Sequence, residues 1–213
     1  MKFREFLEKL DSEKKLIHIS KEVSTNYEIA AYLKKYDGKP LIFENVKKGE
    51  SSSMKVAGNL LSSMDLLCEG LNISKEQFVE HMQLAIENPK GIESAQSSSF
   101  IYKEPDLDQL PILKHYPFDQ GAYITSGVVF AEHSGVKNIS FHRLAVIGKD
   151  RLVGRLVEQR DLHTMYVDAK EHGEDVEVAI AIGNSVGVLV AGATTVARGF
   201  YELTIASSLE NGI

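Results

Sequence analysis

The chain has no tryptophan, a single cysteine and only five prolines, and no apolar run reaches the ~18 charge-free residues that would cross a bilayer. The lone Cys68 rules out an intrachain disulfide and fits a reducing compartment, so a cytoplasmic setting is expected. The opening stretch MKFREFLEKL is charged throughout and lacks the apolar core of a signal peptide. There is no basic tail. Lysine and arginine number 24 against 30 acidic side chains, with both signs interspersed and a net charge of -6, so neither nucleic acid nor a membrane is expected as a partner. Neither a G-x-G-x-x-G nor a Walker A pattern occurs, which removes the standard dinucleotide site and the P-loop.

What remains is an ordinary globular composition, 43% hydrophobic and 25% charged over 213 residues, enough for a good core. Residues 1–88 alternate helical and strand signals and predict a small α/β domain. Helical spacing over FREFLEKL brings Phe3, Phe6, Leu7 and Leu10 to one face. LIHI (16–19), PLIFENV (40–46) and KVAGNLL (55–61) read as strands, with a loop at 48–51 between the last two. YEIAAYLKKY (27–36), SSMDLLCEGL with its Ser cap, and 74–88 with a Ser74…Gln77 box and a Pro89 stop read as helices. Residues 89–109 are polar and broken and read as a linker. Residues 110–213 then carry β-rich runs punctuated by Gly121, His133-Ser134-Gly135 and Gly148-Lys149-Asp150, which predict an antiparallel sheet or barrel. A helix at 161–172, an apolar glycine-rich run at 176–193 and a last helix starting near Gly199 complete the α+β pattern.

Within VKNISFHRLAVIG, read as one strand, alternation puts Asn138, Ser140 and His142 on one face and Ile139, Phe141 and Arg143 on the other. An arginine on an apolar face is costly unless paired. Two readings stay open: an ion pair, or a receptor for a carboxylate or phosphate, which the planar guanidinium grips with two bonds. The segment 158–173 offers Arg160, Asp161, His163, Asp168 and His172, and either an amphipathic helix or a ligand set accounts for them. The small residues of 176–193 suit a closely packed strand and helix, or a backbone surface open to a flat ring or phosphate. Glu202 is a candidate buried carboxylate on the last helix.

Taken in order, KNISFHR, EQRDLH and VLVAGATTVARGFYEL, with DQLPILKHYPFDQGAYITSGVVF upstream, resemble the first half of the UbiD-type decarboxylases, enzymes that use prenylated FMN. The resemblance implies a small N-terminal α/β domain followed by the first part of a split β-barrel of flavin-reductase-like type. It implies that Asn138 and Glu202 bind a divalent metal, manganese or magnesium, which clamps the cofactor phosphate. The third ligand falls on Asp161, where the family carries a histidine, and aspartate is a competent hard-metal ligand. A potassium ion is a further candidate. Arg143 would lie beside the flavin and hold the substrate carboxylate, facing a cavity lined by the 191–194 backbone. Thr125, Ser140, Phe141, His142, Arg160, Ala191, Gly192, Ala193 and Thr194 would line the cofactor.

The activity implied is release of CO2 from an α,β-unsaturated or aromatic carboxylic acid. The cofactor carries the difficult chemistry, and a carboxylate acid/base supplies the proton. In the family that carboxylate lies downstream of the first barrel half, and members are about twice this length. The chain is therefore expected to be incomplete for catalysis, either as a piece of a longer protein or as a half that needs a partner or self-association. Two other classes compete: an FMN-reductase-like oxidoreductase, and a non-catalytic flavin-binding or assembly subunit.

Overall fold

The computed structural model describes residues 1–47, 54–93, 101–210 and 212. The loop expected at 48–51 and residues 94–100 of the connecting segment lie outside these. Toward the N-terminus the elements are α1 (Phe3–Ser12), β1 (Ile17–Ser24), α2 (Glu28–Lys35), β2 (Leu41–Lys47), β3 (Val56–Gly58), α3 (Met64–Leu71) and α4 (Phe78–Glu87). β1 and β2 run parallel, with α2 as the crossover that parallel strands require, and β3 joins β2 antiparallel. Val23, Ile29, Leu41, Phe43 and Val46 form the core between α2 and this sheet.

Two boundaries differ from the sequence pattern, each for a local reason. The strand expected over 55–61 stops at Gly58, because Asn59 takes a left-handed φ of 56°. Its amide then donates to the carbonyls of Leu33 (2.8 Å) and Tyr36 (3.0 Å), which the end of α2 leaves without helical partners. The helix expected from Ser74 starts at Phe78. The Ser74…Gln77 box does form, with the Ser74 N–H donating to Gln77 Oε1 at 3.0 Å, but it closes a turn ahead of the helix.

The second part contains β4 (Tyr123–Ile124), β5 (Val128–His133), β6 (Val136–Phe141), β7 (Leu144–Val146), β8 (Leu152–Gly154), α5 (Asp161–His172), β9 (Glu177–Ala181), α6 (Val186–Ala193) and α7 (Leu203–Leu209). They make two antiparallel three-stranded sheets, ordered β4-β7-β8 and β6-β5-β9. The β5–β6 hairpin turns through Ser134 (φ 50°) and Gly135 (φ 77°), the double positive φ that a two-residue hairpin favours. The α5 helix matches its predicted span, whereas the last helix starts at Leu203 and not near Gly199, which is left-handed at φ 84°.

The single strand read through VKNISFHRLAVIG is corrected. β6 ends at Phe141 in one sheet, and β7 begins at Leu144 in the other. His142 and Arg143 form the corner between the sheets, so the arginine is not a member of an apolar strand face. The 176–193 run also divides. Its helical part is buried through Val186, Gly187, Val188 and Ala191, while β9 is a sheet edge with Val178 exposed.

The largest core joins the two parts of the chain. Phe6 and Leu10 of α1, Leu66 and Leu71 of α3 and Ala85 of α4 pack with Val128, Ile139, Val186, Val188, Ala191, Ile205, Ala206 and Leu209. Burying each large side chain there contributes about 1.5–3 kcal/mol. Glycine sets the α3–α6 approach: a Cβ on Gly70 would lie 2.8 Å from Val186 Cγ2. A second core sits between the sheets and α5, through Ile124, Val129, Leu144, Leu162 and Met165. The segment after α4 is tied to α7: Lys90 N–H donates to Ser208 Oγ (2.8 Å), and Ser207 Oγ donates to the Gly91 carbonyl (2.8 Å).

His18 on β1 bridges α1 and β2, with Nε2 2.9 Å from Asp11 Oδ1 and Nδ1 3.1 Å from Glu44 Oε1. These contacts, Asp11's foremost, raise its pKa above the ordinary 6.5. Because the folded value is raised, the stabilisation is complete below the ordinary value and is lost as pH rises through the folded one. His18→Asn should therefore melt below the parent protein near pH 5.5 and level with it near pH 9. The side chain is 40% exposed, so screening limits the difference to ~0.5–1 kcal/mol. Thermal denaturation at the two pH values measures it.

Candidate cofactor and metal site

Glu202 immediately precedes α7 and is 4% exposed. Its two oxygens are both engaged from β6: Asn138 Nδ2 donates to Oε1 at 2.8 Å and the Ile139 backbone N–H donates to Oε2 at 2.9 Å. β6 lies at the edge of its sheet, and the Ile139 N–H is met by the carboxylate where a further strand would otherwise be. Burial pushes the Glu202 pKa up, and the charge of Asp161 pushes it the same way, against the three hydrogen bonds that lower it. The site is thus short of positive charge.

A polar relay leaves Asn138 along the same strip. Ser140 Oγ donates to Asn138 Oδ1 (2.9 Å) and lies 3.0 Å from His142 Nε2. Asn138, Ser140 and His142 therefore share one side, as alternation requires, although the strand ends between Ser140 and His142. On the other side, Gly192 of α6 packs on Val128 and the Phe141 ring, where a Cβ would meet them at 3.4 and 3.6 Å. Thr194 ends α6 with its hydroxyl donating to the Val190 carbonyl (2.8 Å), Ala191 is buried and Ala193 is exposed. Thr125 is exposed just after β4.

Asp161 is the first residue of α5, and Arg160 is the N-cap whose carbonyl accepts from the Thr164 N–H (2.9 Å) and hydroxyl (3.2 Å). Asp161 lines a cavity of about 290 Å³ with His133, Thr164, Met165, Asp168 and Arg198. It reaches Glu202 through its charge, whereas Asn138 and Glu202 are in contact. The oxygen donors of Asn138, Asp161 and Glu202 suit a hard cation such as magnesium or manganese. Among the described residues no group of three or more His, Cys, Asp and Glu side chains is arranged as a metal cage.

Arg143 departs from the expected setting. Its guanidinium lies 3.5 Å from Asp119 Oδ1 and 4.7 Å from the centre of the Tyr123 ring, and its side chain is 65% exposed. Its partners thus lie on β4 and the segment before it, and the expected opening toward residues 191–194 does not figure among its contacts. Sequence reasoning missed Asp119, Tyr123 and the Ile139 N–H. The first two had a usable signal: HYPFDQGAY gathers a histidine, an aspartate and three aromatic residues in a segment broken by proline and glycine.

Residues 7–86 match the family described as the 3-octaprenyl-4-hydroxybenzoate carboxy-lyase N-terminal domain, and residues 90–212 match the Rift-related domain of the same carboxy-lyase. Among curated relatives, the anhydromevalonate phosphate decarboxylase of Methanothermobacter thermautotrophicus is 36% identical over 212 residues, covering 98% of this chain and 49% of the relative. That of Methanosarcina mazei is 37% identical over 203 residues, covering 93% and 46%. Among solved structures, an evolved dimeric form of the UbiD-class enzyme HmfF from Pelotomaculum thermopropionicum, in complex with prFMN, superposes with a TM-score of 0.90 at 35% identity. It covers 98% of this chain and 50% of that one. The vanillic acid decarboxylase of Sedimentibacter hydroxybenzoicus shares the fold, with a TM-score of 0.89 at 23% identity. The chain spans about half the length of the relatives it matches, and it belongs to the UbiD carboxy-lyase family.

Proposed function

We propose that this chain is the flavin- and metal-holding half of a decarboxylase that releases CO2 from an α,β-unsaturated or aromatic carboxylic acid. The observation that carries this is the buried Asn138–Glu202 pair, a carboxylate enclosed beside an amide and a second acid with no cation among its described partners. Asn138 and Glu202, with Asp161, would hold manganese or magnesium, and the cation would neutralise the charge that burial makes costly. Ser140 and His142 extend the relay from Asn138, while Gly192 packs closely on the Phe141 ring beside them. Thr125, Arg160 and the Ala191–Thr194 backbone are assigned to the cofactor's rim. A bound prenylated flavin would supply the electron sink that loss of CO2 needs.

In this reading Arg143 binds and orients the substrate carboxylate. The likeness to the anhydromevalonate phosphate decarboxylases favours a small, phosphorylated unsaturated acid as substrate. The two three-stranded sheets and their corner at 142–143 read as half of a split barrel. The exposed edge residues Val153 of β8 and Val178 of β9 leave apolar strand surface that further strands would cover, from a continuing chain or a partner. Those strands would also bring the proton donor. A flavin-binding or assembly subunit is the second reading. The buried Cys68 accords with a cytoplasmic setting, and among the described residues no helix is long and apolar enough to cross a membrane.

Manganese at a hundredfold excess over its Kd should raise the Tm of this chain by roughly 5–10 °C. Glu202→Gln should abolish that shift and Asp161→Asn should shrink it, as differential scanning fluorimetry would show; an equal shift in all three proteins would remove the metal site. Without metal, Glu202→Ala strands the Asn138 and Ile139 donors and should cost ~1–3 kcal/mol in urea denaturation.

The catalytic half of the proposal is tested by CO2 release from protein made in a host that synthesises prenylated FMN. The chain joined to a second half like that of its longer relatives should turn over, and this chain alone should fall at least ~10²–10⁴-fold below it. Bound flavin without turnover in either form would favour the assembly subunit.

A further inference from the structure

The strongest unassigned feature is the setting of Arg143. Asp119 is the more enclosed member of the pair, with its side chain 15% exposed against 65% for the arginine. Its Oδ2 accepts the Tyr116 N–H at 3.0 Å, which fixes the carboxylate within its own turn. Its other oxygen, Oδ1, faces one guanidinium nitrogen at 3.5 Å. That contact is single and long, where a committed arginine–carboxylate pair is double and near 2.7–2.9 Å. Tyr123 supports the guanidinium from its ring face at 4.7 Å, a contact that holds the group's position while leaving its nitrogens available. His115 lies within electrostatic reach of both charges and half-buried; burial and the Arg143 charge favour its neutral form, although Asp119 opposes this, so it adds no competing cation.

We propose that Asp119 is a resident anion for Arg143: it parks the guanidinium on Tyr123 and is displaced when a ligand carboxylate takes its place. The proposal rests on the reading of Arg143 as the carboxylate receptor and adds a specificity element to it. A ligand with one weakly held oxygen gains little over Asp119, whereas a carboxylate able to present both oxygens to the planar fork outcompetes it. Asp119 would thereby set a threshold that small monodentate anions such as chloride do not pass.

The probe is trans-crotonate, titrated into the full 213-residue chain and followed by the Arg143 Nε–Hε and Asp119 carboxyl-carbon NMR signals. Both signals should move with one midpoint, since one carboxylate replaces the other. Asp119→Asn keeps an acceptor for the Tyr116 N–H and removes the charge facing Arg143. It should tighten crotonate binding about two- to fivefold, the scale of an exposed ion pair, and should make chloride a measurable competitor. A purely structural Asp119 would weaken binding on substitution or leave it unchanged, and either result overturns the proposal. So does an Asp119 signal that stays still while Arg143 responds, a measurement that needs no variant to fold. Arg143→Lys separates the two claims. If crotonate binding survives that change intact, the receptor role of Arg143 falls and this inference with it. If binding is lost there but Asp119→Asn fails to tighten it, only Asp119's role falls.

Discussion

One buried carboxylate organises the second part of the molecule. Glu202 accepts from Asn138 and from the Ile139 N–H, and so fastens the start of α7 to the free edge of β6. Placing a charge there is costly, and the hydrogen bonds offset only part of the cost, since its pKa remains raised. An apolar residue of similar size would give β6 and α7 a simpler contact but would leave the Ile139 N–H unpaired. The carboxylate at this position thus satisfies a strand-edge donor at the expense of a buried charge.

The corner after β6 explains why two kinds of chemistry lie so near each other. Up to Phe141 the chain belongs to the sheet that carries the Asn138–Ser140–His142 relay; from Leu144 it belongs to the other. Arg143 stands between them and turns to β4 and its approach segment, where Asp119 and Tyr123 receive it. A strand has two faces, but a corner can direct neighbouring side chains to separate walls. Six consecutive residues thus hold a candidate cation ligand and a candidate anion receptor without pairing them to each other.

Much of this was legible beforehand, and the failures have physical causes. Helix α1 was readable because Phe3, Phe6, Leu7 and Leu10 fall at helical spacing. The hairpin at Ser134-Gly135 was readable because positive φ has a narrow chemistry. The pattern through NISFHR misled because alternation is continuous across a corner: His142 and Arg143 keep the period although the pairing partner changes. Asn59 was opaque for another reason, since its role as a cap for α2 depends on a residue 26 positions earlier. The meeting of Asn138 with Glu202, 64 residues apart, came from family resemblance, because no local rule joins a strand edge to a distant helix start. Asp119 escaped because the gathering of polar and aromatic residues in HYPFDQGAY has no period to say which of them meets Arg143.

The serines of α7 bear on the order in which the chain can fold. Ser207 and Ser208 bind the segment at Asn88–Gly91 across 116 to 120 residues of sequence. Through Ile205, Ala206 and Leu209 the same helix closes the core that Phe6 and Leu10 enter. During synthesis the first three helices of that core emerge long before their cover exists, and loop-closure entropy delays the reward until more than a hundred further residues have been added. The N-terminal part thus passes a long interval on the ribosome with its apolar face open. That interval, more than the finished structure, is where chaperone dependence or loss to aggregation would arise.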